Sequence, residues 1–193
     1  MVYSRNNDGG FTLLEILIAM LISTIVLGIA GKTFIIQSKS YDIQRQITEM
    51  MQMGRAAINL MTREVRMAGY NTTNTPFDGI IYDPDQLQVF ADLNGDGDTA
   101  DAFENITYTY DSASFTINRD TGSGNQPLAD NIQSFEFEYY NAAGTQATAS
   151  SDIRKVQILI TARTEKPDSD YAYNSGYRTY PLASMVKPRN IGY

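Results

Sequence analysis

The chain of 193 residues contains no cysteine, no histidine and no tryptophan. Without Cys or His, zinc sites built on those ligands cannot form. Ser-His-Asp and Cys-His catalysis are excluded within the chain. No disulfide can staple the fold, so cysteine usage says nothing about redox compartment. Positive charge is also short: 15 Lys and Arg face 22 Asp and Glu, for a formal charge of -7. That balance argues against a nucleic-acid backbone as the main partner. Proline is absent between Phe11 and Thr75, so no ring breaks a helix there.

What is present divides the chain in two. The length suits one ordinary domain plus an appendage. Residues 1–10 are short and polar, and 11–31 read FTLLEILIAMLISTIVLGIAG, with Glu15 as the single charge. As a helix, 21 residues rise about 30 Å, the thickness of a bilayer's hydrocarbon core. The segment reads as membrane-spanning; the alternative is a buried core helix. A secretory signal peptide fits poorly. Only Arg5 precedes the apolar run, and the small residues Gly9 and Gly10 lie before it rather than after it.

Beyond Lys32 the apolar residues Ile43, Ile47, Met50, Ala57, Met61, Val65 and Ala68 recur mostly at helical steps, with polar residues between them. Gly69 and the cluster from Asn71 to Pro76 form a stop signal. The spacing predicts one helix of about 58 residues, roughly 87 Å long, which needs outside support along its length. From Phe77 onward the period becomes two. Strands are predicted at 79–82, 87–92, 106–111, 114–119, 132–140, 156–164 and 177–186, separated by turn-rich stretches that include 120–127. In 132–140 the inward set is Ile132, Phe135, Phe137 and Tyr139, with a bulge near Gln133 and Ser134. Short connections favour a single antiparallel sheet wrapped on the amphipathic half of the helix, an α+β domain. The expected segments are a leader at 1–10, a spanning helix at 11–31, an amphipathic helix at 32–69 and a β-rich domain at 70–193. No internal repeat is visible.

The strongest local signal is Gly9-Gly10-Phe11-Thr12-Leu13-Leu14-Glu15 ahead of the apolar run. A carboxylate inside a membrane helix is costly and therefore suspect for function. A cut after Gly10 gives Phe11 a free ammonium one helical turn from Glu15. The ammonium of one chain then neutralises Glu15 of another, which makes docking and register depend on that pair. The alternative is a Glu near the interface that snorkels to water.

This signature resembles the prepilin motif of type IV pilins and type II secretion pseudopilins. The resemblance implies cleavage between Gly10 and Phe11 by prepilin peptidase, N-methylation of Phe11, and guidance of subunit insertion by Glu15. It also implies a single pass through the bacterial inner membrane with the C-terminal domain extracytoplasmic. The implied partners are other minor pilins, the major pilin and the inner-membrane assembly platform. Counting Lys and Arg points weakly the other way, since Arg5 precedes the span while Lys32, Lys39 and Arg45 follow it. The stretches 128–144, 156–164 and 186–190 look most like PilW-type minor pilins and the J-type pseudopilin. Many major pilins carry a Pro about 21 residues after the cleavage site and a C-terminal disulfide. Here Lys32 stands near that place and Cys is absent, which favours a minor component. A type II secretion pseudopilin and a signal-anchored binding domain that never polymerises are the alternatives.

A second constellation runs from Asp92 to Glu104, DLNGDGDTADAFE. Oxygen ligands at alternate positions with Gly at the sixth resemble the first half of an EF-hand loop. The twelfth position is Phe103, with Glu104 one later, and no flanking helices are expected. Asp92, Asn94, Asp96 and Asp98 are the first expected calcium ligands, then Asp101 and Glu104. The alternative is a solvated Asp/Gly turn between strands. Glu136 and Glu138 share one strand face about 7 Å apart, but nothing marks a cleft beside them. No catalytic residue is assigned. The Tyr-rich strands read as sheet-covering pairs.

Overall fold

The computed structural model describes residues 10–73 and 75–191; residues 1–9 of the expected leader lie outside them. The first element is α1, Leu13–Met67, 55 residues long. Its start and stop follow the sequence signals closely. Thr12 precedes it as N-cap, and Gly69 follows it with a positive φ of 74°. By compactness the chain divides at Gln44 and Arg45, inside α1.

In the first unit α1 is largely apolar from Leu13 to Gly31, with Glu15 as its one charge. Sixteen large apolar side chains from Phe11 to Ile36 are exposed, Leu21 at 63% among them. Among the described residues this is one helix long and apolar enough to cross a membrane, and none of that stretch is buried. Burying a side chain such as Leu or Ile is worth about 1.5–3 kcal/mol. So many exposed at once call for lipid or other helices around them.

In the second unit the helix buries Met50, Gly54, Ala57, Ile58, Met61 and Val65. This is the predicted stripe, with Gly54 and Ile58 added. Gly54 allows close approach: a Cβ there would lie 2.5 Å from Leu182 Cδ1, which would have to move. The strands are β1 (Ile80–Ile81), β2 (Gln86–Phe90), β3 (Asn105–Asp111), β4 (Thr116–Asp120), β5 (Gln126–Ala129), β6 (Ile132–Tyr140), β7 (Lys155–Arg163) and β8 (Thr179–Val186). The fold is α+β, with every strand pair antiparallel.

Two features correct the expected topology. The strands form two sheets, β1-β2-β3-β4-β5 and β6-β7-β8, rather than one. The break falls at Asp130 and Asn131, where Asn131 takes a left-handed φ of 56° and turns the chain between layers. Ile132 N–H still bonds Phe115 O at 2.9 Å across the corner. The second correction is β5, which occupies part of the predicted 120–127 turn. It is an edge strand, where Pro127 opposite Asn118 is tolerated because it has no ladder donor to lose. The bulge in β6 falls between Ile132 and Ser134, and Phe135 and Tyr139 are buried, as the alternation predicts.

One core joins helix and both sheets: Met61, Val65, Ile80, Leu87, Tyr108, Ile117, Ile132, Ile158 and Ile160 all belong to it. Polar contacts fix the helix on each sheet. Thr62 and Ser184 hydroxyls meet at 3.1 Å on β8. Arg119 donates to Glu64 through Nη2 at 2.7 Å and Nε at 3.2 Å, a two-point grip on β4. The fully buried Tyr108 hydroxyl donates to the same carboxylate. Burial, then the Glu64 charge, pushes the Tyr108 pKa up. Burial opposes the Arg119 charge, and Glu64 outweighs it, so that guanidinium sits above its ordinary pKa.

Candidate functional site

Two places carry the residues singled out from sequence. At the start of α1, Gly10 and Phe11 are exposed, Phe11 at 85%, so the expected processing bond is accessible. Thr12 N–H and Oγ1 donate to Glu15 Oε2 at 2.8 and 3.0 Å. Glu15 N–H donates back to Thr12 Oγ1 at 3.3 Å. This is a reciprocal capping box that satisfies otherwise orphan helix donors. Thr12 is therefore a participant that sequence reasoning missed. The signal was present as Thr-x-x-Glu ahead of an apolar run. Both Thr12 donors reach Oε2, and among the described residues no hydrogen bond falls on Oε1. A shallow groove on this helix face runs from Phe11 and Glu15 past Ala19 and Ser23 to Leu27.

The second place is the connection between β2 and β3. Its two ends are fixed by Ala91 N–H bonding Glu104 O and Asp92 N–H bonding Tyr70 O. Asp92 is fully buried. Its Oδ1 accepts from Gly95 N–H at 2.6 Å, and its Oδ2 accepts from Gly97 N–H at 3.2 Å. Thr73 Oγ1 approaches the same oxygen at 3.4 Å. Gly95 holds a φ of 81° with the Thr72 hydroxyl 2.7 Å from where a Cβ would sit, so a larger residue is strained and crowded there. Asn94 Nδ2 donates to Asp96 Oδ2 at 3.0 Å and Asp101 Oδ2 at 2.6 Å.

One carboxylate oxygen from each of Asp96, Asp98, Asp101 and Glu104 lies within 4.8 Å of the other three. Asp92 is outside that group and Asn94 bridges two of its members. Phe103 takes a left-handed φ of 70° with its ring exposed, and Glu104 turns inward to 2% exposure. The electrostatics divide along the loop. Asp98 N–H, then the Asn94 amide, holds Asp96 below the usual carboxylate range. Desolvation, then the charges of Asp96, Glu104 and Asp98, raises Asp101.

Glu136 is exposed on β6, and Glu138 accepts from the Tyr140 hydroxyl at 2.6 Å. Glu138 also lines a small pocket with Tyr82, Pro84 and Phe137.

Against known proteins, no curated sequence matches the chain. Among solved structures, a type IV-like pilin from Thermus thermophilus is similar over 74% of this chain and 98% of that one, at 12% identity and a TM-score of 0.46. Residues 5–31 match the prokaryotic N-terminal methylation motif.

Proposed function

We propose that the chain is a minor type IV pilin-like subunit with an assembly role rather than a catalytic one. It waits in the bacterial inner membrane on a single pass, with its strand-rich domain extracytoplasmic. Prepilin peptidase cuts between Gly10 and Phe11, and Phe11 is N-methylated. The subunit then joins other minor pilins and the major pilin through the inner-membrane assembly platform, near the fibre tip. The observation that carries this reading is the methylation motif at 5–31, set on a helix whose apolar residues are exposed on every side. The minor role rests on Lys32 in place of the major-pilin proline and on the missing cysteines.

The capping box sharpens the assembly step. Glu15 lies at the helix start, where the macrodipole favours a negative charge, and Thr12 occupies one carboxylate oxygen. The other oxygen is free to take the methylammonium of Phe11 from an incoming chain. In an apolar fibre core that pairing relieves the cost of an isolated carboxylate. Only the correct stagger makes it, so the pair selects register as well as partner. Glu15→Ala tests this. The strand-rich domain should remain folded by circular dichroism, while incorporation into sheared fibres falls about tenfold or more, the ratio given by losing roughly 1.4 kcal/mol of docking. Normal incorporation of the variant contradicts charge pairing.

A further inference from the structure

The β2–β3 connection gathers more negative charge than its folding uses. Asp92 supplies the turn, through its bonds to Gly95 and Gly97. Four other carboxylates then converge: Asp96, Asp98, Asp101 and Glu104. Among the described residues, none of the four is ion-paired. Glu104 sets this apart from an exposed acidic turn. It is 98% removed from solvent, its Oε1 accepts from Leu93 N–H at 2.8 Å and Asn94 N–H at 3.0 Å, and its Oε2 is buried with no hydrogen-bond partner. A buried anionic oxygen without a donor is among the costlier features a fold can keep. Its neighbours in the cluster are three more acceptors, so a cation would satisfy it and them together.

We propose that this connection binds a calcium ion, held by Asp96, Asp98, Asp101 and Glu104, with Glu104 as the ligand from the buried side. Calcium takes oxygens at about 2.3–2.6 Å, so ligands across the ion stand about 4.6–5.2 Å apart. The observed 4.8 Å limit on the four oxygens matches that sphere. Magnesium demands a tighter octahedron and is held by one or two carboxylates with several waters, which suits a four-carboxylate cage less well. The set also differs from an EF-hand reading of the same residues. The first acid, Asp92, holds the turn, and the ligating group begins at the next acid, Asp96, four residues on. The ion ties the exposed tip of the connection to Glu104, the residue before β3. In a chain without cysteine this is a cross-link still open to the loop. The proposal stands independently of the assembly reading.

Isothermal titration of the full-length chain in detergent micelles with calcium chloride decides it. The expected result is one site per chain with a Kd on the order of 10⁻⁴–10⁻³ M or tighter, and weaker binding of magnesium. Glu104→Gln keeps an acceptor for Leu93 and Asn94 but removes the charge, and should weaken calcium by about tenfold or more. Asp98→Asn, at an exposed position whose side chain still accepts from Ala100 N–H, should do the same while the far-ultraviolet spectrum stays unchanged. Asp111→Asn, in the β3–β4 turn, should bind as the unaltered chain does. No calcium heat at millimolar concentration overturns the proposal. So does unchanged affinity in Asp98→Asn, or magnesium binding as tight as calcium.

Discussion

Leu21 and Met61 lie on one helix and meet opposite conditions. Leu21 is 63% exposed among largely apolar residues, and Met61 is fully buried within a core shared by two sheets. Backbone geometry is the same in both halves; what differs is who satisfies the side chains. From Arg45 onward the chain brings its own partner, in the form of two antiparallel sheets. From Phe11 to Ile36 sixteen large apolar side chains are exposed instead. The difference teaches that a long helix need not be stabilised by one mechanism. Its C-terminal half is stable within the chain, and its N-terminal half is stable only in lipid or among other helices.

The most severe way to break this comparison is to truncate both residues. Met61→Ala should lower the unfolding free energy of the strand-rich unit by about 2–5 kcal/mol. Leu21→Ala should change the same transition by no more than about 0.5 kcal/mol. Denaturant unfolding of the full chain in micelles, followed by tyrosine fluorescence, measures both. Equal losses would mean the two halves are not independent. Next comes the polar anchor. Glu64→Ala strands the Tyr108 hydroxyl and the Arg119 guanidinium and should cost about 2–3 kcal/mol in the same assay. Glu64→Gln should recover part of it, since it keeps acceptors but not the charge.

The capping box offers a smaller effect in the other half. Thr12→Ala should loosen the start of α1 by about 1 kcal/mol, seen as faster amide exchange at residues 13–16 with no change in the core amides. Uniform loosening of the whole chain would tie the first turn to the core. The smallest effect is acid sensitivity. The Ser114 hydroxyl, then Ala113 N–H, holds Asp111 below the usual carboxylate range. Asp85 N–H, then the Gln86 side chain, does so for Asp83. A lowered folded pKa gives stability that is present above the unfolded value, near 3.9, and is lost as pH falls through the folded value. Replacing both with Ala should flatten the stability loss of the strand-rich unit below about pH 4, and leave α1 before Gln44 unchanged. An unaltered acid slope would show that those turns contribute nothing.

The sequence makes most of this legible because period is a local property. The helix, its stop at Gly69 and seven of the eight strands follow from spacing alone. The eighth, Gln126–Ala129, hides because Gly122, Gly124 and Pro127 read as punctuation. A proline on an edge strand breaks no bond that its neighbours need. The split into two sheets is not a local property either. It depends on Asn131 adopting a left-handed backbone, which Asn permits without announcing it. In the acidic connection, composition marks the thirteen residues but not which of their side chains converge. Asp92 accepts the Gly95 and Gly97 N–H groups, while Glu104, one place late for the motif, is the buried member of the cluster. Which acid turns inward is decided by the backbone at Phe103, and spacing cannot supply that. Thr12 is the opposite case, a signal fully present in sequence whose meaning appears once its bonds to Glu15 are seen.

All of these tests leave the central claim to one direct measurement, mass spectrometry of the mature N-terminus in membrane and fibre fractions. The account predicts a chain that begins at Phe11 and carries one methyl group on that nitrogen. An intact Met1, or a cut at any other bond, contradicts it.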